Sequence, residues 1–311
     1  MSELKLTNFK ALVFDVYATL IVSRAYHCRC VLFANTEARQ DWESGIYEAL
    51  QPLVKRISSP VGTSKTELLL AFTSVESDLQ AKYPTMLYAD ILAHIHAELA
   101  ARLTNQSSHA SAQVTATAVT SRSTAAGTET DVTTAGSSGA PEQGDIPSSE
   151  GLSDEDIAFG KSIPTWPPFP DTIAALTALS KHYKLTVLSN VDRRSFSGTR
   201  EVLERSDPAH HFTFDAVYTA QDIGSYKPNP ANLNYALKRL REDFGIEKDQ
   251  VLVVAASLFH DHAPANRLGL KSVYIDREGA VIGSSGQADY NWKFTTLGAM
   301  AEAVESEGAR L

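Results

Sequence analysis

The spacing of apolar residues divides the chain into two kinds of pattern. Residues 67–83 and 87–103 repeat their apolar positions every three or four residues, which predicts two amphipathic α-helices. After residue 160, short β-branched and aliphatic runs alternate with helical stretches, and one more such run lies at 11–16. Nearly continuous apolar strands that alternate with helices predict a parallel sheet covered by helices on both faces.

The first predicted strand is separated from the others by the two amphipathic helices. The predicted strands cover 11–16, 185–188, 214–218, 251–255 and 272–275, and the predicted core helices cover 171–183, 193–205, 230–244 and 263–268. The helical segment therefore interrupts a single α/β domain. We predict a Rossmann-like α/β parallel-sheet core with an inserted helical cap.

A third stretch of the chain has neither pattern. Residues 104–150 consist mainly of Ser, Thr, Ala and Gly and contain no Phe, Trp or Tyr. Such a segment cannot bury enough apolar surface to offset the entropy of ordering, so it is predicted to be a disordered linker. The predicted division is a core at 1–21 and 160–311, an insertion at 22–40, a helical cap at 41–103, the linker at 104–150 and a return from the cap at 151–159.

The composition is that of a globular protein with few cysteines. The chain has 311 residues, of which 43% are hydrophobic and 21% charged, and its formal net charge is −9. This charge disfavours nucleic acid and anionic membranes as partners. Cys28 and Cys30 are too few and too close together for a disulfide framework or a four-ligand zinc site. Because no long apolar run and no signal-peptide pattern occur, we expect a cytoplasmic protein.

Polar residues follow the predicted strands where a ligand crevice is expected. In an open parallel sheet, ligands bind beyond the carboxyl ends of the strands. In chain order, the segments after these ends carry Asp15, then Ser189 and Asn190, then Lys227, then Ser257 and Asp261. Each residue alone also fits a helix cap, a turn or a solvated loop. Their succession on four strands predicts one shared site.

The order of these residues resembles a known family. Asp-x-Tyr-x-Thr-Leu at 15–20, Ser-Asn at 189–190, Tyr-Lys-Pro at 226–228 and the Asp at 261 are similar to the motifs of the haloacid dehalogenase superfamily. Within that superfamily the sequence most resembles the type II (S)-2-haloacid dehalogenases, over 8–20 and 164–295. The resemblance implies a hydrolase that acts on carbon–halide bonds, with the helical segment as its cap.

The resemblance also implies a role for each residue of the predicted site. Asp15 is the carboxylate nucleophile that forms an aspartyl ester, Lys227 keeps it ionised, and Asp261 orients or deprotonates the hydrolytic water. Thr19 holds the loop after the nucleophile or donates a hydrogen bond to it. The residues expected to bind substrate are Val16, Tyr17, Ser189, Asn190 and Ser257.

Tyr17 favours dehalogenation over phosphate-ester hydrolysis. Phosphatases of this superfamily carry a second Asp at that position, which protonates the leaving alkoxide, whereas a halide leaves without a proton. We therefore expect a short 2-haloacid, a small-molecule carboxylate, as the substrate, and neither a cofactor nor a nucleic-acid or membrane partner; a homodimer is left open. The alternatives are a Mg²⁺-dependent small-metabolite phosphatase, with Asp15 and Asp261 as metal ligands, and a catalytically weak binding protein.

Several positions depart from the dehalogenase pattern. Where this branch has Ser-Ser-Asn, residues 256–258 read Ala-Ser-Leu, and Leu233 replaces a Tyr. No cap arginine that would receive the halide can be assigned. His260 or His262 could replace the missing Asn in water activation, but a polar loop in which Asp261 alone is functional is the preferred interpretation.

The segment 22–40 interrupts the resemblance. In the resembled family the nucleophile motif runs almost directly into an acidic residue and the cap helix, and joining Ile21 to Asp41 restores that order. Val22-Ser23 can be encoded by GTAAGT and Gln40 by CAG, which are the usual intron boundaries. We interpret 22–40, which contains both cysteines, as a retained intron; a lineage-specific loop is the alternative.

Overall fold

Within the described residues, six strands form one parallel sheet. The computed structural model describes residues 4–22, 43–56, 64–116, 146–277 and 286–309. The strands are β1 (Ala11–Phe14), β2 (Lys184–Ser189), β3 (Ala216–Thr219), β4 (Val251–Ala255), β5 (Lys271–Ile275) and β6 (Trp292–Phe294). Their spatial order is β3-β2-β1-β4-β5-β6, and all neighbouring pairs are parallel. The predicted Rossmann-like α/β class is confirmed.

The first strand lies in the middle of the sheet. Ala11 at the start of β1 is opposite Lys184 of β2 on one side and Val251 of β4 on the other. All four residues of β1 are buried, because helices cover both faces of the sheet, which explains its unbroken apolar sequence. The strand order reverses at β1, so a ligand crevice is expected beyond its carboxyl end.

Among the described residues, four α-helices lie between β1 and residue 160, three of them beginning within the predicted cap at 41–103 and the fourth within the predicted return at 151–159. They are α1 (Glu43–Arg56), α2 (Lys65–Lys82), α3 (Tyr88–Ala116) and α4 (Asp154–Gly160). A capping box begins α2: the Ser64 hydroxyl accepts the Glu67 N–H, and the Glu67 carboxylate accepts the Ser64 N–H. The apolar face of α2 is buried in the main hydrophobic core.

Two predicted boundaries in this region need correction. Helix α3 continues to Ala116, so residues 104–116 are helical and the predicted linker begins too early. Extending an existing helix costs much less free energy than starting a new one, and the helix propensities of Ala, Gln and Ser permit this extension. Val22, the first residue of the predicted insertion, is buried, and its N–H donates to Pro167 O at 2.8 Å. Residues 23–40 and 117–145 lie outside the described residues.

The remaining helices surround the sheet. They are α5 (Thr172–Leu179), α6 (Arg193–Arg205), α7 (Ala220–Ile223), α8 (Pro230–Phe244), α9 (Ala263–Arg267) and α10 (Leu297–Gly308). The Asp192 carboxylate caps α6 by accepting the Ser195 N–H, and it also accepts the Ala89 N–H of α3 at 3.2 Å. One side chain thus begins a core helix and contacts the cap. None of the helices among the described residues combines the length and apolar character needed to cross a bilayer.

Candidate active site

The turn after β1 presents Asp15 at the carboxyl edge of the sheet. The Asp15 N–H donates to Val254 O at 3.1 Å, so this residue still follows the line of the sheet. The Val16 carbonyl then accepts the N–H groups of residues 19–21 at 2.7 to 3.2 Å and closes a tight turn. Ala18 in this turn has φ of 75°, a left-handed conformation that costs a non-glycine residue about 1 kcal/mol. The chain thus accepts local strain directly beside the carboxylate.

Thr19 performs both of the actions predicted for it. Its hydroxyl donates to Asp15 Oδ2 at 2.7 Å and accepts the Ala256 N–H at 2.9 Å. Because the Ala256 N–H can only donate, the hydroxyl proton is directed at the carboxylate. Thr19 therefore orients Asp15 and links the nucleophile turn to the end of β4.

The Lys227 ammonium bridges the two predicted catalytic carboxylates. Nζ donates to Asp15 Oδ1 at 2.8 Å, to Asp261 Oδ1 at 2.7 Å and to Leu188 O at 3.0 Å. The side chain is only 2% exposed. Burial alone would lower the pKa of Lys227, but the two carboxylates outweigh it and raise the pKa. Lys227 is therefore a fixed cation that favours the ionised form of Asp15.

Asp261 keeps one carboxylate oxygen free. It lies in a π-helical turn, Leu258–His262, directly after β4. Oδ1 accepts the Lys227 hydrogen bond, whereas Oδ2 is buried and has no hydrogen-bond partner in the part of the chain that the structure describes. Burial raises the pKa of Asp261, and Lys227 opposes that rise. The result is a carboxylate that takes up a proton more readily than an exposed Asp and has an oxygen available to a ligand.

Ser189 and Asn190 separate into two roles. The Ser189 hydroxyl is buried and has no hydrogen-bond partner among the described residues, so it can donate to a substrate. The Asn190 amide is occupied instead: Oδ1 accepts the Lys227 N–H at 2.7 Å and Nδ2 donates to Lys227 O at 3.0 Å. The amide fixes the backbone of Lys227, and because Asn190 also lines the cavity at this edge, its predicted contact with a substrate stays a prediction.

Ser257 caps the π-helical turn. Its hydroxyl accepts the His260 N–H at 3.1 Å and lies 3.1 Å from His260 Nδ1. The residue also lines the cavity at this edge of the sheet, so its predicted contact with a substrate stays a prediction. Burial lowers the pKa of His260 to about 4, so its ring is neutral at pH 7. The buried His262 ring lies 2.9 Å from Ser272 Oγ and 3.1 Å from Ala255 O, which makes it structural.

Tyr17 places a phenol, and not a carboxylic acid, two residues after Asp15. Its hydroxyl lies 3.0 Å from Thr199 Oγ1, and its ring meets Trp166 edge-on at 5.6 Å. Burial raises the pKa of Tyr17 far above its ordinary value, so the phenol keeps its proton. Among the described residues, the backbone N–H groups of Val16 and Tyr17 donate to no backbone or side-chain acceptor, and they are available to an anionic ligand.

A partly open cavity of about 90 Å³ lies between this site and the inserted helices. Its core side consists of the residues described above, and its cap side is formed by Ile46, Phe72, Glu76 and Tyr88, with Trp166 from the returning chain. On the same measure a single water occupies roughly 10–15 Å³. The cavity therefore suits a molecule of a few non-hydrogen atoms.

Glu76 was not predicted from the sequence. Its Oε1 accepts the Tyr88 hydroxyl at 2.6 Å and lies 3.3 Å from Gln80 Nε2. Burial raises the pKa of Glu76 to about 6, although the Tyr88 hydrogen bond opposes this. One signal was present: Glu76 lies four residues after Phe72, on the apolar face of α2, where an amphipathic helix normally has an apolar residue.

Arg277 was likewise missed. It follows β5, and its Nε and Nη2 donate to Thr19 O at 3.2 and 2.8 Å. Its Nη1 donates to Asp171 Oδ1 at 2.8 Å, and the guanidinium lies 3.9 Å above the Phe169 ring. This buried cation therefore joins the nucleophile turn to the segment just before α5.

We expect Arg277→Gln to lower the free energy of unfolding by about 2–3 kcal/mol, because it leaves a carbonyl and a carboxylate without their donors. Turnover should fall roughly tenfold, mainly in kcat, since the turn loses its support while the substrate contacts remain. Arg277→Lys should restore only part of both, because lysine lacks the planar fork. Urea unfolding and steady-state kinetics measure this, with the exposed Arg267→Gln as control. Equal losses in both Gln variants would contradict it.

The donor set of the site suits magnesium better than zinc. Within the described residues, no group of three or more His, Cys, Asp and Glu side chains is arranged to hold a metal ion. Mg²⁺ needs few protein ligands because it retains several waters. Asp15, and Asp261 through its free Oδ2, could therefore hold Mg²⁺ together with water and substrate oxygens.

Fold and site together place an aspartate–lysine–aspartate set at the carboxyl ends of a Rossmann-like sheet. Residues 157–275 match the family of haloacid dehalogenase-like hydrolases. The chain is similar to haloacid dehalogenase-like hydrolases over these residues, and structures of L-2-haloacid dehalogenases share its fold.

Solved structures share the fold over nearly the whole chain. A defluorinating L-2-haloacid dehalogenase has a TM-score of 0.57 at 15% identity and covers 98% of this chain and 100% of its own. A HAD-hydrolase from Bacillus subtilis, YfnB, bound to magnesium, has a TM-score of 0.54 at 11% identity and covers 96% of this chain and 99% of its own. Identities this low establish a common fold and no more.

One curated relative is a phosphatase. The glyceraldehyde 3-phosphate phosphatase of Methanothermobacter thermautotrophicus is 32% identical over 113 residues. The match covers 36% of this chain and 46% of that protein, so it spans less than half of the relative's length.

Proposed function

We propose that the protein hydrolyses the carbon–halide bond of short 2-haloacids. The observation that carries this proposal is Tyr17, two residues after the nucleophile. Its phenol stays protonated and is bound to Thr199, so no carboxylic acid stands there to protonate a leaving group. A halide ion leaves without a proton, whereas the alkoxide of a phosphate ester needs one.

In the first half-reaction an oxygen of Asp15 attacks C2 of the haloacid. The new C–O bond forms as the carbon–halogen bond breaks, and the halide leaves with the electron pair. Lys227 keeps Asp15 ionised and Thr19 aims it, through the hydrogen bonds of 2.8 and 2.7 Å. The Ser189 hydroxyl and the N–H groups of the nucleophile turn are donors for the substrate carboxylate.

In the second half-reaction water attacks the ester carbonyl carbon of Asp15. Asp261 accepts the water proton through its free Oδ2, and its raised pKa strengthens it as a base. As the ester C–O bond breaks, Asp261 gives that proton to the leaving alkoxide, which becomes the 2-hydroxy acid, and Asp15 returns to its carboxylate form by losing the second water proton to solvent. Leu258 replaces the Asn that positions this water in the resembled enzymes, so Asp261 carries the positioning as well.

A Mg²⁺-dependent phosphatase is the second candidate. It is supported by the curated phosphatase relative and by the free oxygen of Asp261. Asp15 and Asp261 would hold the ion, which would neutralise charge on the phosphate. Tyr17 argues against it, because the leaving alkoxide would lack its acid.

The two candidates respond oppositely to metal removal. We expect wild-type protein to release chloride from 2-chloropropionate equally well in EDTA and in added Mg²⁺, because every group in the proposed reaction belongs to the chain. Phosphate release from glyceraldehyde 3-phosphate that requires Mg²⁺ would favour the phosphatase. A folded protein inactive in both assays would favour the binding role.

A further inference from the structure

The cap side of the cavity carries a carboxylate without a cation. Glu76 receives hydrogen bonds from the neutral Tyr88 and Gln80, both at Oε1, and no cation acts on it within the described residues. A desolvated carboxylate that lacks a positive partner destabilises the fold. Such an arrangement is typical of a site that a ligand completes.

The rings around this carboxylate suit a cation. Phe72, Tyr88, Trp166 and Tyr17 line the same cavity as Glu76. Aromatic faces attract a desolvated cation through their quadrupoles, and a carboxylate in the same wall adds a charge-assisted hydrogen bond. The substrate's own carboxylate is repelled by Glu76, so it belongs at the Ser189 end of the cavity.

We propose that Glu76, held by Tyr88, binds an ammonium group at the end of the substrate opposite its carboxylate. This inference rests on the proposed function, which identifies the reacting carbon as C2 of a haloacid. The substrate class is then a short 2-haloacid that also carries an amino group. The cavity volume of about 90 Å³ limits the carbon chain between the two charges to a few atoms.

Unreactive analogues test this without turnover. At pH 8, above the pKa of about 6 of Glu76, we expect β-alanine to bind wild-type protein at least about 10-fold more tightly than propionate in calorimetric titrations, as a charge-assisted hydrogen bond implies. Glu76→Gln should remove most of that preference and leave propionate binding unchanged. Asp78→Asn, an exposed carboxylate on the same helix, should change neither affinity.

Three outcomes would overturn the proposal: equal binding of β-alanine and propionate, equal binding of β-alanine and 3-hydroxypropionate, or a loss of both ligands in Glu76→Gln. Tyr88→Phe serves as a second variant, because it keeps the Glu76 carboxylate but removes the hydroxyl that holds it. This variant should weaken the binding of β-alanine and leave the binding of propionate unchanged. Because binding is read without halide release, an inactive protein would count against the proposed reaction and leave this test intact.

Discussion

Asp15→Asn is expected to lower halide release from 2-chloropropionate by roughly 10⁴-fold or more, as loss of a covalent nucleophile does in other enzymes. The amide has nearly the shape of the carboxylate but cannot form the ester. Chloride assays under saturating substrate measure the effect. The control is Asp276→Asn, which removes a carboxylate after β5 that is paired with Lys293 and should leave turnover within twofold.

Covalent catalysis by Asp15 has a second signature. When wild-type protein turns over in H₂¹⁸O, water attacks the acyl carbon, so the label should enter the peptide that contains Asp15. Mass spectrometry of the digested protein detects this. Label found in the hydroxy-acid product during a single turnover, with none in the peptide, would show direct attack by water and rule out the ester.

Lys227→Met is expected to abolish turnover and to lower the free energy of unfolding by about 3–5 kcal/mol, because it leaves two buried carboxylates without their cation. Burial already raises the pKa of Asp261, and without the opposing cation that pKa should rise further. Acids raised in this way destabilise the fold as pH increases, so the loss should be smaller at pH 5 than at pH 8. Urea unfolding at the two pH values measures this.

The matched control for that variant is Lys184→Met. Lys184 also pairs with an aspartate, Asp215, at 2.7 Å, but its side chain is 50% exposed. An exposed ion pair of this kind contributes at most about 1 kcal/mol, with little dependence on pH over the same interval. A Lys227 variant that behaved like the Lys184 variant would mean that Lys227 is not needed to hold the carboxylates.

Much of the core could be predicted because it depends on local patterns. Strands β1, β2, β4 and β5 are continuous apolar runs, and α6 and α8 begin and end where the apolar period and the Asp192 and Pro230 signals place them. Asp15, Lys227 and Asp261 are far apart in sequence, but parallel strands bring their carboxyl ends to one edge.

The features that were missed depend on contacts between distant segments. Asn190 turns to the Lys227 backbone, and Arg277 reaches back to Thr19, which no spacing within either segment indicates. Glu76 can be recognised as a site residue only from the packing of α2 against the strand ends, which places it in the same cavity as Asp15 and Asp261. The predicted roles of Asn190 and Ser257 rested on residue type, and the structure shows that their polar atoms already have protein partners.

The central place of β1 has a consequence for how the protein is synthesised. Ala11 is synthesised well before its partners Lys184 and Val251, which follow only after the inserted helices and much of the core. Pairings between such distant positions form slowly, and an apolar strand waiting for its partners is exposed to aggregation. The strand that carries the nucleophile therefore precedes both of its neighbours in synthesis and is enclosed only when β4 has been made.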